Sequence, residues 1–258
     1  MHPYVTVFGR VFSTYGLMAV TGGLLGFLPA LFLGRRHRLD FENLVYFYAM
    51  GAVGAILGAI AFQFVFQAIS AGAVNGGFTL GSMSLSGGMA GALFSFRYWS
   101  KKFLIPKEED KLSHYACALI PSMPFVVMFM RAGCLCAGCC YGIEGTHNDA
   151  LHIVFHDSLI APNNTPLLAT QPAAMLFHGA SFLVLFVLGI KNLLTPKSVW
   201  CYTALFGACR FMIDFVRGDH GMHPFLMRDS ALSTGQVMAL ALFVVSVFAL
   251  ARASVNNK

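Results

Sequence analysis

Long apolar segments constrain the fold of this chain more than any other feature of its sequence. Seven of them follow one another within 258 residues, and short polar stretches separate them. The segments span residues 15–33, 44–69, 83–96, 115–130, 172–190, 199–216 and 232–250. A helix needs about 20 apolar residues to cross the hydrocarbon core of a bilayer. We therefore predict an all-α polytopic membrane protein with seven transmembrane helices in a single domain over residues 1–258.

The composition excludes other broad classes of protein. Hydrophobic residues make up 57% of the chain and charged residues 11%, whereas a soluble domain carries about 25% charged residues. This charge is too little to cover a water-soluble globule, and 25 Phe and 13 Met are not typical of a disordered chain. The net charge of +6 does not indicate nucleic acid binding, because the basic residues lie between the apolar segments.

The basic residues are distributed unequally between the two sides of the predicted bundle. With the N-terminus outside and seven alternating helices, twelve Lys and Arg residues lie inside and three outside. The inner set is Arg35, Arg36, Arg38, Arg97, Lys101, Lys102, Lys107, Lys111, Lys191, Lys197, Arg252 and Lys258, and the outer set is Arg10, Arg217 and Arg228. Cytoplasmic loops carry such an excess. We predict an outer N-terminus, a cytoplasmic C-terminus and an outer polar loop at about residues 142–170.

Charged residues inside the sixth apolar segment are the strongest sign of function. Arg210, Asp214 and Arg217 follow one another at spacings of four and three residues, which places them on one helix face. A charge at the centre of a membrane helix costs about 2.5–3.5 kcal/mol on insertion scales. One interpretation is a structural pair between Arg210 and Asp214 with Arg217 at the interface. An unpaired second arginine favours an anionic ligand, most simply a lipid phosphate.

A second arginine-containing segment follows the fourth apolar segment. Arg131 precedes Gly133, Gly138 and Gly142, and glycines permit a close approach of the backbone. The alternative is an arginine that extends from a helix end to the membrane surface.

Four cysteines lie within the same glycine-rich segment. They are Cys134, Cys136, Cys139 and Cys140. Structural zinc sites commonly use two separated pairs of cysteines, whereas these four would point in different directions on a helix. We expect small buried thiols that permit tight packing, and we predict neither a metal nor a cofactor.

Two further polar features lie within apolar segments. Ser86, Gly87 and Gly88 open the third segment, where small residues also serve helix packing. His178 lies inside the fifth segment, where an imidazole needs a partner. That partner can belong to a functional site or simply satisfy a structural histidine.

Six segments of the chain, in the same order, resemble motifs of the prolipoprotein diacylglyceryl transferase family. The segments are Ser13–Met18, Ser86–Gly88, Arg131–Gly142, Thr170–Gln171, Gly207–Arg217 and Ser233–Gln236. The resemblance extends from about Ser13 to Leu250. It implies a seven-helix enzyme of the bacterial inner membrane with its N-terminus outside. Such an enzyme moves the diacylglyceryl group of phosphatidylglycerol to a lipoprotein cysteine thiol and releases glycerol phosphate.

The motifs and the buried polar residues together define a candidate site. The candidate catalytic residues are Arg131, Arg210, Asp214 (at the position of the family's glutamate), Ser86 and His178. The candidate substrate-binding residues are Arg217, Gly87, Gly88, Gly133, Gly138, Tyr15, Tyr141, Gln171 and Gln236. The expected partners are a membrane phospholipid donor and a prolipoprotein or another acceptor at the periplasmic face, without nucleic acid.

The chain also departs from the family pattern. Ser86 occupies the position of the family's histidine, and Cys134 and Cys139 replace its asparagine and glutamate. The base that activates the acceptor is then His178, His156 or the acceptor itself. These departures leave two hypotheses open. One is a phospholipid-dependent transferase, and the other is a non-catalytic lipid-binding or permeation protein on the same fold.

Overall fold

The structure is a computed structural model that describes residues 3–7, 9–70, 84–103, 111–145, 151–158, 160–219 and 232–255. Most of these residues are helical. The helices are α1 (Thr14–Leu25), α2 (Phe27–Arg36), α3 (Phe41–Ser70), α4 (Leu85–Phe103), α5 (Leu112–Leu119), α6 (Ser122–Ala137), α7 (Thr170–Ile190), α8 (Pro196–Asp214) and α9 (Thr234–Val255).

Two short β-hairpins accompany the helices, so the all-α prediction is wrong in this detail. Strands β1 (Tyr4–Val7) and β2 (Arg10–Ser13) pair before α1, and β3 (His152–Val154) pairs with β4 (Pro166–Leu168). The second hairpin lies in the predicted polar loop. It also contacts the segment after α6, because Leu168 donates its backbone N–H to Ile143.

Five helical segments have the length and composition of membrane spans. They are Thr14–Arg36, Phe41–Val65, Leu112–Ala137, Thr170–Ile190 and Thr234–Ser254. The third and sixth predicted segments form α4 and α8, which have 19 residues each. At ~1.5 Å per residue such a helix is about 28 Å long, close to the ~30 Å hydrocarbon core.

The fourth apolar segment contains Pro121 and Pro124, and proline in a helix interior predicts a kink or a break there; the structure shows a break. Helix α5 ends at Leu119 and α6 begins at Ser122, with Pro121 at the N-cap position. The two helices together still form one of the candidate spans.

Glycines allow α3 and α4 to pack closely. A Cβ atom on Gly58 would lie 2.5 Å from the carbonyl oxygen of Gly87, and a Cβ on Gly87 would lie 2.6 Å from the Cβ of Phe62. Gly88 faces the same helix, with its Cβ position 3.3 Å from the carbonyl oxygen of Ala55. Small residues serve this purpose in membrane helices, where lipid supplies no hydrophobic force between them. Gly87 and Gly88 therefore act in the packing of α4 on α3.

Candidate active site

Asp214, at the end of α8, joins the charged residues of the sixth segment. Its Oδ1 lies 3.0 Å from Nη1 of Arg210 and 3.1 Å from Nη1 of Arg217. Its Oδ2 accepts a 3.0 Å hydrogen bond from the hydroxyl of Ser233. The Asp214 residue is only 2% exposed. One buried carboxylate therefore holds two guanidinium groups in fixed positions.

Arg217 differs from its sequence-based interpretation. It was expected at the interface and without a pair, but it is buried and forms two hydrogen bonds to Asp219, Nε–Oδ1 at 2.7 Å and Nη2–Oδ2 at 2.6 Å. Burial alone would lower the pKa of Arg217, but the bonds to Asp219 and the nearby carboxylate of Asp214 raise it. Arg217 is thus a permanently charged structural partner of Asp214. In the sequence, only the closeness of Asp219 to Arg217, two residues before it, indicated that the two side chains could pair.

Arg131 is the arginine with unused hydrogen-bonding capacity. It is buried, and its Nε has no hydrogen-bond partner among the residues that the structure describes. The interpretation of Arg131 as an arginine that reaches the membrane surface is therefore wrong. Arg210 is similar in one respect, because Nη1 is close to Asp214 without a directed hydrogen bond. The buried Arg131 can accordingly still donate to a ligand, and the half-buried Arg210 lies beside it with its Nη1 held near Asp214.

A small cavity lies between these two arginines. Its lining is Arg131, Ala174, His178, Phe206, Cys209, Arg210 and Ile213. The structure thus brings Arg131, Arg210 and His178, from three helices, to the lining of one cavity, which Arg217 does not line. His178 also has a structural partner, because its Nδ1 lies 3.2 Å from the hydroxyl of Tyr202. His156, the other histidine considered, is exposed and pairs with Asn164 in the polar loop.

The beginning of α9 supports the carboxylate of Asp214. Ser233 and Gln236 form a capping box, in which the backbone N–H of Ser233 donates to Oε1 of Gln236 and that of Gln236 donates to Oγ of Ser233. The amide of Gln236 also donates to the carbonyl of Phe211. Gln236 therefore fixes the helix start, and no contact in the described residues places its amide in the cavity.

Gly235 is a site residue that was not singled out from the sequence. A Cβ atom there would lie 2.6 Å from Oδ2 of Asp214 and 3.1 Å from Nη2 of Arg210. Only a residue without a side chain leaves room for this ion pair. Gly235 lies within Ser233–Gln236, the last of the segments that resemble the family, and this position could have identified it as a site residue.

Three of the four cysteines at the end of α6 converge, whereas the sequence predicts different directions for all four on a continuous helix. Helix α6 ends at Ala137, and Gly138 and Cys140 adopt left-handed conformations with φ of 73° and 59°. This reversal brings the Sγ atoms of Cys134, Cys139 and Cys140 within 4.8 Å of one another. A left-handed non-glycine residue costs about 1–2 kcal/mol, so the surrounding structure must hold Cys140 in place.

Two side chains at the start of α7 hold this cysteine turn. The hydroxyl of Thr170 donates a 2.7 Å hydrogen bond to the carbonyl of Cys140, and Nε2 of Gln171 donates a 2.9 Å bond to the carbonyl of Cys139. Hydrogen bonds from the neighbouring thiols, together with the charges of Arg217 and Arg131, lower the pKa of Cys140. Gln171, a predicted substrate ligand, thus positions the cysteine turn.

Tyr141 and the glycines connect this turn to the rest of the site. The carbonyl of Tyr141 accepts the backbone N–H of Gly218, and Gly142 pairs with Arg217 as an isolated β-bridge. Gly133 lets α6 approach α1, because a Cβ there would lie 3.0 Å from the Cα of Tyr15. A Cβ on Gly138 would meet the hydroxyl of Ser158.

The remaining predicted residue, Ser86, has no direct polar contact with the three arginines among the described residues. Ser86 is buried near the start of α4. Within the described residues no hydrogen bond or ion pair joins it to Arg131, Arg210 or Arg217.

These features define a class of protein: a multi-pass helical membrane protein with a buried arginine site between helix ends. The chain matches the family model for prolipoprotein diacylglyceryl transferase over residues 3–252, and it belongs to that family of transferases.

Two relatives agree with this assignment. The chain is 26% identical to phosphatidylglycerol–prolipoprotein diacylglyceryl transferase 2 of Clostridium perfringens, over 83% of this chain and 82% of the relative. It is 27% identical to phosphatidylglycerol–prolipoprotein diacylglyceryl transferase of Clostridium tetani, over 94% of this chain and 93% of the relative.

Proposed function

We propose that this protein transfers the diacylglyceryl group of phosphatidylglycerol to the thiol of a prolipoprotein cysteine at the periplasmic face of the bacterial inner membrane. The observation that carries the proposal is the convergence of Arg131 and Arg210 on one cavity of about 10 Å³, which has to widen to admit a phosphate, with Nε of the buried Arg131 free to donate among the described residues. The names of both relatives specify this donor and this acceptor.

The chemistry of the transfer requires a cationic site of this kind. The acceptor thiol releases its proton to water, its sulfur forms a bond to the terminal glyceryl carbon, and the bond between that carbon and the phosphate oxygen breaks. The leaving glycerol phosphate takes the electron pair, so its phosphate gains a negative charge. Fixed donors in a site without water stabilise such charge most effectively. Arg131 and Arg210 bind the phosphate in this proposal, and Asp214 orients Arg210 through their 3.0 Å contact.

Contacts between helix ends support seven crossings with the termini on opposite sides. The start of α1 meets α6 near its end at Gly133, and the end of α6 meets the start of α7 through Thr170. The end of α8 meets the start of α9 through Asp214 and Ser233. Ser84, before α4, donates to the sulfur of Met238 near the start of α9.

These contacts support the proposal that four helix starts and two helix ends lie at one face of the bundle. Helix α7 leaves that face and α8 ends there, so α8 must cross in the opposite direction. Helix α4 also starts there and is followed by α5 and α6, which return, so α4 must cross as well. The five candidate spans plus α4 and α8 then make seven crossings in one membrane domain. The basic bias of the loops assigns this face to the outside, together with residues 142–170.

A direct test uses the purified full-length protein in detergent with phosphatidylglycerol labelled in the head group and a peptide that carries a lipoprotein cysteine. We expect release of labelled glycerol phosphate and a peptide whose mass increases by one diacylglyceryl group. A peptide with serine in place of the cysteine is the matched control. Lipid binding without either product would contradict the transferase and support the non-catalytic alternative, which the presence of Ser86 at the family's histidine position favours.

Reporter fusions test the topology separately. Fusions after Lys111 and after Lys197 should report a cytoplasmic location, and a fusion after Asn164 should report a periplasmic one. A periplasmic signal after Lys197 would contradict the crossing of α8.

A further inference from the structure

The cysteine turn contains a feature that the arginine site does not use. Three sulfur atoms from Cys134, Cys139 and Cys140 lie within 4.8 Å of one another. In a tetrahedral zinc site with Zn–S distances of ~2.3 Å, sulfur atoms are separated by about 3.8 Å. The three thiols are thus near the required spacing and need only small side-chain rotations.

The backbone around these thiols is held in place before any ligand binds. Gly138 and Cys140 reverse the chain with positive φ angles, and Thr170 and Gln171 fix the carbonyls of Cys140 and Cys139. Partners that hold metal ligands in this way contribute to affinity. Cys136, in the same segment, lies outside the group.

The charge around the turn favours an anionic cluster. Three thiolates and a divalent cation carry a net charge of −1. Arg131 is three residues before Cys134 on α6, which places the two side chains on one helix face. Arg217 pairs with Gly142 just beyond the turn. Their positive charges compensate the cluster.

We propose that Cys134, Cys139 and Cys140 bind one zinc ion and leave its fourth position open for the acceptor thiol. Zinc sites with three protein ligands and an open position are typical of catalysis, whereas structural sites are closed with four ligands. Thiolate ligands also select zinc over harder cations such as magnesium.

The second half of this inference rests on the proposed function, because it concerns the acceptor. An acceptor thiol that binds zinc releases its proton to water and remains as a thiolate, which is the nucleophile that the transfer needs. The site would thereby supply the activation that the family's histidine, here Ser86, does not. No electrons are transferred, and zinc stays divalent throughout.

Metal binding is tested on the full-length protein without any substrate. After removal of metal with a chelator and a reductant, the protein is titrated with zinc and, separately, with cobalt(II). We expect about one ion per chain, and for cobalt the intense visible bands of a tetrahedral site with thiolate charge-transfer absorption. The weak visible bands of octahedral cobalt(II), or failure of the protein to retain any ion, would overturn the proposal. Mass spectrometry that finds a disulfide among the three cysteines in protein isolated without oxidant would also overturn it.

Cysteine variants assign the ligands. Cys134→Ser and Cys139→Ser should lose the charge-transfer bands, whereas Cys136→Ser should retain them. Thermal unfolding in detergent checks that each variant is folded. Charge-transfer bands of equal intensity in Cys134→Ser and Cys136→Ser would refute the three-cysteine site. If a variant does not fold, the cobalt spectrum of the unmodified protein decides the question.

The acceptor is tested by adding the cysteine peptide to the cobalt form. An additional thiolate should increase the charge-transfer absorption, and the serine peptide should not. Transfer at an undiminished rate by metal-free protein would refute the role of zinc while the proposed function stands. Metal binding with no transfer under any condition would refute the proposed function and leave the metal site in place.

Discussion

Replacement of Asp214 by Asn removes the charge that holds the arginines while keeping the shape of the side chain. Asp214 contacts Arg210 at 3.0 Å, Arg217 at 3.1 Å and Ser233 at 3.0 Å. An asparagine can still accept from Ser233, but it leaves Arg210 without a carboxylate partner among the described residues. Arg217 keeps Asp219. The perturbation therefore acts mainly on Arg210 and on the cavity that it lines.

The expected cost follows from the burial of Asp214. Removing one partner of a buried ion pair costs about 3–5 kcal/mol, because the remaining charge is left without compensation. For a protein of this size each kcal/mol lowers Tm by roughly 2–4 °C. Asp214→Asn should thus lower Tm by about 6–20 °C. Transfer should fall even at temperatures where the variant is folded, because Arg210 is no longer oriented toward the phosphate.

Thermal unfolding in detergent and transfer of labelled diacylglyceryl groups measure the two effects separately. Asp157→Asn is the matched control, because it removes the same charge from an exposed position in the polar loop. Asp214→Glu, which restores the family's residue, should recover both stability and transfer in large part. If Asp214→Asn behaves like Asp157→Asn in both assays, the buried carboxylate does not organise the site.

Three further substitutions test other parts of the site. Arg131→Lys keeps the positive charge but loses the planar guanidinium group with its several donors. It should lower kcat by about 10²–10³, the effect that loss of one oriented donor has in other enzymes, with little change in Tm. An unchanged kcat would exclude Arg131 from phosphate binding. Arg217→Ala should lower Tm, because it leaves the carboxylate of Asp219 buried and without its arginine partner. An unchanged Tm would contradict this buried pair and support the interpretation that Arg217 lies at the membrane interface. Gly235→Ala should reduce transfer by displacing Asp214, whereas Gly23→Ala, which meets open space, should not; equal rates would refute the close packing at Gly235.

The sequence was sufficient to predict a mostly helical membrane protein with charged residues inside its apolar segments. Apolar segments of the right length identify membrane helices, because the bilayer demands internal hydrogen bonding over a fixed thickness. The sequence identified Arg131, Arg210 and Asp214 because a charge at membrane depth costs free energy and is usually retained for function or for pairing with another charge. The break near Pro121 followed from the missing backbone N–H of proline.

Other features depended on tertiary contacts that no periodicity reports. The pairing of Arg217 with Asp219 arises because the chain turns after α8 and directs two nearby side chains toward each other. The three cysteines converge because α6 ends at Ala137 and the chain reverses at Gly138. The sequence indicated that Gly138 permits a close backbone approach, but it did not predict the left-handed φ of this residue. Gly87 and Gly88 have the same local pattern whether they face a ligand or α3, and only the packing shows that they face α3.

The directions of the helices explain why this charge cluster is tolerable at the membrane boundary. A helix C-terminus carries about half a negative charge and an N-terminus about half a positive charge. Helix α8 ends at Asp214, and Arg217 follows three residues later, beside the helix C-terminus where a cation is stabilised. Helix α9 begins beside the carboxylate of Asp214, so its N-terminus faces negative charge. The end of α8 and the start of α9 lie side by side, and the site therefore contains both a cation-stabilising and an anion-stabilising helix end.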